Sequence, residues 1–328
     1  MKSIFYLYKN GDLIRKDNSL VLKTSKGNEY IPIEQLDIII CFSEINLNKR
    51  VLSLLKQYKV SIMFFNYYGN LIGRFSPKIH KYGKSLIEQV DCYNDERRYY
   101  IASKIEYSSI SNMLAVLKYY NKKGIDLSDK ITKIIAFREK ISNIQDINYM
   151  LIIEANIKKI YYDSFDLILR DDNFVFEKRS KNPPENEVNA MLSYGYALLY
   201  SSVLAVLDRS SLFPQISFVH STSKTTDSLQ YDLADILKPV LIDRLVIRMI
   251  RKKQIKKEFF DFKGDKRCFL NKKGLNMFVR EYDNNLKKTI KINNKYYSYK
   301  SLISREVHKL SEFIKGNKKS YNPFIMKW

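Results

Sequence analysis

Residues 76–85, Ser-Pro-Lys-Ile-His-Lys-Tyr-Gly-Lys-Ser, mark a change of period in the chain. Pro77, Gly83 and the interspersed lysines leave no apolar pattern, so the stretch reads as a linker. On its N-terminal side, strand-like apolar runs cover 4–8, 20–22, 36–42, 60–65 and 71–75. Turn signals separate them at Asn10-Gly11, Asp17-Asn18-Ser19 and Lys26-Gly27-Asn28. Asn10-Gly11 predicts a hairpin, because both residues tolerate positive φ. One short helix is expected over 47–58. On the C-terminal side the spacing becomes helical, over 97–120 and 147–165. Asn182-Pro183-Pro184 signals the start of a mostly apolar helix over about 185–207. Helical spacing returns over 227–250, where Pro239 predicts a kink or break. The expected fold class is α+β. A small N-terminal β-domain (1–76) and a linker (77–85) precede a larger, mostly α-helical domain (86–328).

Charge points to the partner. There are 57 Lys+Arg against 35 Asp+Glu, a net +22, and such a surface attracts polyanions, nucleic acid first among them. Residues 244–328 hold 24 Lys+Arg and 7 Asp+Glu, or +17 of that total. Tyr296, Tyr297 and Tyr299 sit among lysines there and read either as base-stacking rings or as a strand packed on the core. A hydrophobic share of 45% allows a sizeable core and excludes a disordered chain. No run approaches the ~18 apolar residues of a membrane span. The start, MKSIFYLYKNGD, reads as a first strand and not as a signal peptide. Three dispersed cysteines, Cys41, Cys92 and Cys268, form no CxxC. They argue against a disulfide framework or zinc cluster and fit a reducing cytoplasm.

Chemistry narrows to a few positions. His80 lies in the linker and His308 in a basic helical stretch, and both read as structural or solvent-facing. His220 ends the apolar run Ile216-Ser217-Phe218-Val219 and opens a polar loop over 221–226. In the next helix Asp232 and Asp235, three apart, share a face with Leu229, Leu233 and Leu237. Carboxylates there are costly to desolvate, and a cation would offset that cost. Glu154 sits inside the apolar segment MLIIEANI. Alone it reads as a salt bridge to Lys158; with His220 and Asp235 it reads as part of an imidazole–carboxylate site. That donor set suits Mg²⁺ or Mn²⁺ better than structural zinc. A cation so held can bind a scissile phosphate and activate an attacking hydroxyl from water or a DNA 3′ end. No P-loop, GxGxxG, GxSxG or HExxH is present, which leaves nucleotide-driven, hydrolase-elbow and zincin chemistry without support.

These residues in this order resemble a known family. Glu154 in an apolar helix is followed by Asn182-Pro183-Pro184, then Asn189-Ala190-Met191-Leu192-Ser193-Tyr194-Gly195-Tyr196. Phe218-Val219-His220 comes next, and then Tyr231-Asp232-Leu233-Ala234-Asp235-Ile236-Leu237-Lys238-Pro239. The pattern resembles the CRISPR-associated integrase/endonuclease family, the enzymes of spacer acquisition, over nearly the whole chain. The elements at 11–20, Ile31-Pro32 and 66–75 fit as well. The resemblance implies metal ligands at Glu154, His220 and Asp235, with Asp232 as an auxiliary acidic residue. It implies transesterification, in which a protospacer 3′-hydroxyl attacks a repeat-end phosphodiester without a nucleotide cofactor. It also implies double-stranded DNA as substrate, a homodimer formed through the β-domains, and a small ferredoxin-like partner protein. A nuclease acting on branched or nicked DNA in repair is the alternative. Two positions depart from the family: the last acid, often Glu, is Asp235, and the basic residue before the proline, often Arg, is Lys238. Lys224, Arg248 and Arg251 are DNA-contact candidates because they lie close in sequence to the metal helix.

Overall fold

The computed structural model describes residues 3–66, 69–77, 81–141, 144–223, 226–264 and 267–328. His80 and Lys224 lie outside these residues. Eight strands and one helix come first: β1 (Ser3–Leu7), β2 (Gly11–Lys16), β3 (Ser19–Thr24), β4 (Gly27–Ile31), β5 (Leu36–Cys41), β6 (Ile45–Leu47), α1 (Lys49–Tyr58), β7 (Ser61–Phe65) and β8 (Leu71–Phe75). They form two four-stranded sheets, ordered β1-β5-β7-β8 and β4-β3-β2-β6. In the first, β1, β5 and β7 run parallel, and β8 returns antiparallel to β7. This explains the nearly continuous apolar run Leu36-Asp-Ile-Ile-Ile-Cys41, broken only by Asp37. A parallel strand covered on both faces has no polar side to alternate with. Ile38 and Ile40 face the large core shared with the helices. Ile39 and Cys41 face a smaller core under the second sheet and α1.

The expected hairpin at Asn10-Gly11 does not form. β1 pairs with β5, whereas β2 pairs with β3 and β6, so the chain crosses between sheets at this point. Gly11 is needed for a different reason: a Cβ there would lie 2.1 Å from the Lys23 carbonyl oxygen. The tight turns of the second sheet fall at Asp17-Asn18 and Ser25-Lys26, beside the turn chemistry noted above.

The remainder is mostly helical: α2 (Gly83–Asn94), α3 (Arg97–Asn121), α4 (Ser128–Ile141), α5 (Ile147–Tyr162), α6 (Phe165–Leu169), α7 (Glu187–Asp208), α8 (Leu229–Lys238), α9 (Arg244–Arg251), α10 (Lys272–Lys287) and α11 (Tyr299–Ile314). Two small hairpins, β9 (Phe260–Phe262) with β10 (Cys268–Leu270) and β11 (Thr289–Ile292) with β12 (Lys295–Ser298), flank α10. A strand-rich N-terminal part followed by a mostly helical remainder is the expected α+β class. Helix α2 begins at Gly83, inside the stretch expected to be linker. Helix α7 begins later than Pro183-Pro184 suggest, because Asn186 is the residue that caps it, accepting from the Asn189 amide.

Three features of the helical part bear on the site. Helix α7 is long and apolar enough to cross a membrane by length and composition, which amends the reading of the bare sequence. Here 78% of its apolar window is buried in the protein. At Gly195 an added Cβ would lie 2.6 Å from Ile242, so glycine permits the close approach of α7 to the segment after α8. That segment, Pro239–Asp243, is π-helical. Pro239 has no amide hydrogen, and its ring crowds the preceding turn, so the helix expected over 227–250 is interrupted there. Finally, Arg74 of β8 pairs with Asp208 at 2.8 Å and with Asp227 at 2.7 Å. This ties the first sheet to the segment that leads into α8. Cys41, Cys92 and Cys268 are free and buried.

Candidate metal centre

Helices α3, α5 and α8 pack together and bring their acidic residues to one place. Asp235 on α8 and Glu154 on α5 are 2% and 8% exposed. The Lys158 ammonium, one turn beyond Glu154, lies against the Glu154 carboxylate and 3.1 Å from Asp235 Oδ2. Lys238, one turn beyond Asp235, contacts its other oxygen. Burial alone would raise the Asp235 carboxyl, but the charges of Lys158 and Lys238 hold it well below the usual range. The same carboxylates keep Lys158 charged despite its burial. So the local pair Glu154–Lys158 exists, and it does not stand alone: Asp235 shares the same ammonium.

His220 stands beside this group. Its Nδ1 is 2.7 Å from Asp232 Oδ1. Asp232 is fully buried and also accepts from the backbone amides of Phe218, Val219 and His220, at 2.7, 3.0 and 3.0 Å. A carboxylate accepting three amides is an acceptor toward the ring too, so Nδ1 carries the hydrogen and Nε2 the lone pair. This is the arrangement that orients a metal-ligating imidazole. Burial lowers the ring's pKa, but the hydrogen bond and charge of Asp232 outweigh it and the pKa is raised.

One residue escaped the reading of the sequence. Glu106 on α3 is fully buried, and its donor oxygen joins those of Glu154 and Asp235 within 4.8 Å of one another. His220 is outside that tight set, held through Asp232 at its edge. Burial, then the neighbouring Glu154 charge, pushes the Glu106 carboxyl far up. The criterion that singled out Glu154, an acid inside an apolar segment, does not flag Glu106, which lies in the mostly polar Ser103-Lys104-Ile105-Glu106-Tyr107-Ser108-Ser109. The donors fit a hard divalent cation: carboxylate oxygens and one imidazole, with no thiolate among them.

The site opens into a cleft of about 610 Å³. Asp235 and the cations Lys158, Arg179, Lys181 and Lys238 line it, together with Tyr196 and Tyr200. Lys238 lies 5.0 and 4.7 Å from the centroids of those two rings. At the floor, Asp243 accepts from Tyr196 at 2.6 Å and from Tyr161 at 3.0 Å. Burial pushes its carboxyl up to about 6 against the pull of those bonds. Arg248 and Arg251 do not face this cleft. They line another concavity, of about 400 Å³, with Arg244, Lys252 and Lys288. Whether these arginines meet DNA is a separate matter from the cleft, and the π-helical segment carries α8 into α9 without a gap. Of the C-terminal tyrosines, Tyr296 is 72% exposed, Tyr297 lies under Arg305 at 3.9 Å, and Tyr299 is buried in the core.

Comparison with known proteins adds identity to this geometry. Residues 5–284 match the family model described as CRISPR associated protein Cas1. A CRISPR-associated endonuclease Cas1 of Thermodesulfovibrio yellowstonii is 36% identical over 332 residues, covering 100% of both chains. A solved Cas1 protein from Thermotoga maritima superposes with a TM-score of 0.88 at 32% identity, covering 97% of this chain and 99% of that one. A casposase bound to its integration product has the same fold, with a TM-score of 0.88 at 20% identity over 100% of this chain and 95% of its own. The family model and the full-length relative together show that this chain belongs to the Cas1 family of CRISPR-associated proteins.

Proposed function

We propose that this chain is a metal-dependent DNA endonuclease and integrase of CRISPR adaptation, which joins protospacer 3′-hydroxyl ends to repeat phosphodiesters by transesterification. The observation that carries the reading is the buried meeting of Glu154 and Asp235 beside a cationic cleft that Asp235 lines. Asp232, one turn back on α8, holds His220, which opens to a neighbouring concavity with Tyr93, Arg98 and Asn148. The full-length relative named as an endonuclease supports the same class.

Glu154, His220 and Asp235 would hold Mg²⁺ or Mn²⁺, which would stabilise charge at the scissile phosphate and activate the attacking hydroxyl. Lys158 and Lys238 add positive charge where a phosphate would sit. The Asp232 carboxylate keeps His220 in one tautomer and one orientation. In the reaction the 3′-hydroxyl oxygen bonds to phosphorus and the repeat strand's own 3′-oxygen leaves. The incoming hydroxyl gives up its proton and the leaving oxygen takes one up. One phosphodiester forms for each that breaks, so no nucleotide is consumed.

The remaining parts of the reading rest on the family resemblance. They are a β-domain over 1–76 that forms a homodimer, a linker over 77–85, a catalytic and DNA-binding domain over 86–328, and a small ferredoxin-like partner. A cytoplasmic location accords with three free cysteines.

The test is a joining assay with a labelled 3′-hydroxyl donor, a repeat-containing duplex and Mn²⁺. Wild type should yield joined product. Glu154→Ala, His220→Ala and Asp235→Ala should each lose it while retaining DNA binding. Cleavage without joining would favour the nuclease alternative, and joining by the three variants would reject the metal site.

A further inference from the structure

We propose that Glu106 is a third carboxylate ligand of the divalent cation, contributed by α3 and shared with Glu154 and Asp235. The proposal rests on the divalent-ion reading above and extends it to a residue outside the Glu–His–acid set.

The geometry suits such a role. Oxygens on one octahedral Mg²⁺ or Mn²⁺ lie roughly 2.1 Å from the ion, so they are about 3–4 Å from one another. The donor atoms of Glu106, Glu154 and Asp235 all lie within 4.8 Å, a small adjustment from that arrangement. The two other acids already have cations: Lys158 serves both, and Lys238 serves Asp235. Glu106 has none. It is fully buried, and neither carboxylate oxygen has a hydrogen-bond partner among the described residues.

That isolation is the independent observation. Buried carboxylates are normally satisfied by amides, hydroxyls or cations, because an unsatisfied one loses its hydration without compensation. Asp232, Asp243 and Glu306, the other deeply buried acids near α3 and α8, all accept hydrogen bonds. Glu106 is instead aimed at two carboxylates; without a metal it keeps a proton there, and a divalent cation would take that proton's place. A purely structural role would place its oxygens near donors. Ser109 and Asn112, one and two turns away on the same helix, do not reach them: Asn112 bonds Ile236, Phe324 and Met326.

Mn²⁺ titration of the intact protein, followed calorimetrically, separates the possibilities. Wild type should bind Mn²⁺. Glu106→Gln should bind it at least about tenfold more weakly, since even residues that only support a ligand shift affinity by that much. Its metal-free melting temperature should stay close to that of wild type, because a neutral amide replaces a protonated carboxyl of nearly the same shape. If wild type binds no Mn²⁺, the divalent-ion reading itself fails and this proposal with it. If wild type binds and Glu106→Gln binds equally well, the proposal alone is overturned. Should the variant not fold, a crystal of wild type with Mn²⁺ decides: a Glu106 oxygen within roughly 2.5 Å of the ion supports the assignment, and one beyond roughly 3.5 Å overturns it.

Discussion

The Nδ1 of His220 donates to Asp232 across 2.7 Å, and the carboxylate that receives it is anchored by the amides of residues 218–220, the segment that carries the histidine. The ring is therefore fixed by its own loop through a residue on α8. A carboxylate in that position raises the pKa of the imidazole, whereas burial lowers it. Replacing Asp232 with Asn removes the charge and leaves the burial. The ring of His220 should then titrate lower than in wild type, below the usual 6.5. Ring-proton NMR over pH 5–9, assigned by the peak lost in His220→Gln, measures this, and an unchanged pKa would show that Asp232 does not set it. The linkage signs are opposite for folding and for metal. With a raised folded pKa, protonated His220 contributes stability that is fully present below pH ~6.5 and is lost as pH rises through the folded value. A metal ligand must be neutral, so Mn²⁺ affinity should rise through that same window.

Asp243 supplies a second pH signature, away from the proposed ligands. Its carboxyl titrates near pH 6 in the folded protein, against about 3.9 when unfolded. The folded state thus holds the proton more tightly, and stability is present at low pH and lost as pH rises from about 4 to 6. A displacement of about two units corresponds to about 3 kcal/mol. Urea unfolding of wild type and Asp243→Asn at pH 4.5 and 7 should show this difference: between those pH values, wild type should lose stability relative to the variant. Parallel behaviour of the two proteins would show that Asp243 ionises normally.

Much of the fold and site could be read from residue pattern, and the misses share a cause. Glu154 and Asp235 stood out because each interrupts an apolar segment. Glu106 escapes that rule, because Ser103, Lys104, Ser108, Ser109, Ser111 and Asn112 surround it and make α3 look solvent-facing. The serines and Asn112 are buried: Ser111 bonds the Tyr107 carbonyl, and Ser108 and Asn112 bond the C-terminal strap at Phe324 and Met326, more than 200 residues away. Asn10-Gly11 has local hairpin chemistry, yet β1 finds its partner in β5, which no local signal reveals. Arg248 and Arg251 are close to the metal helix in sequence, but they line a different concavity from Asp235. Local periodicity survived folding; nonlocal pairing was decided by contacts that sequence spacing does not carry.

The basic concavity of α9 can be tested through salt. Arg244 stacks between Tyr119 at 4.5 Å and Trp328 at 4.3 Å, so its guanidinium is held in place. Arg248 approaches Glu281 and Asn285 only at 3.4 Å, and Arg251 donates to the neutral Ile168 carbonyl. If both neutralise DNA phosphates, each should contribute about 0.9 to the slope of log K against log salt. Arg248→Ala with Arg251→Ala should then flatten that slope by about 2 in a binding titration between 50 and 200 mM salt. Metal binding should be untouched, because neither residue lines the cleft that holds Asp235. An unchanged slope would move the DNA path away from α9 and leave Lys158, Arg179, Lys181 and Lys238 as the cations that meet the strand.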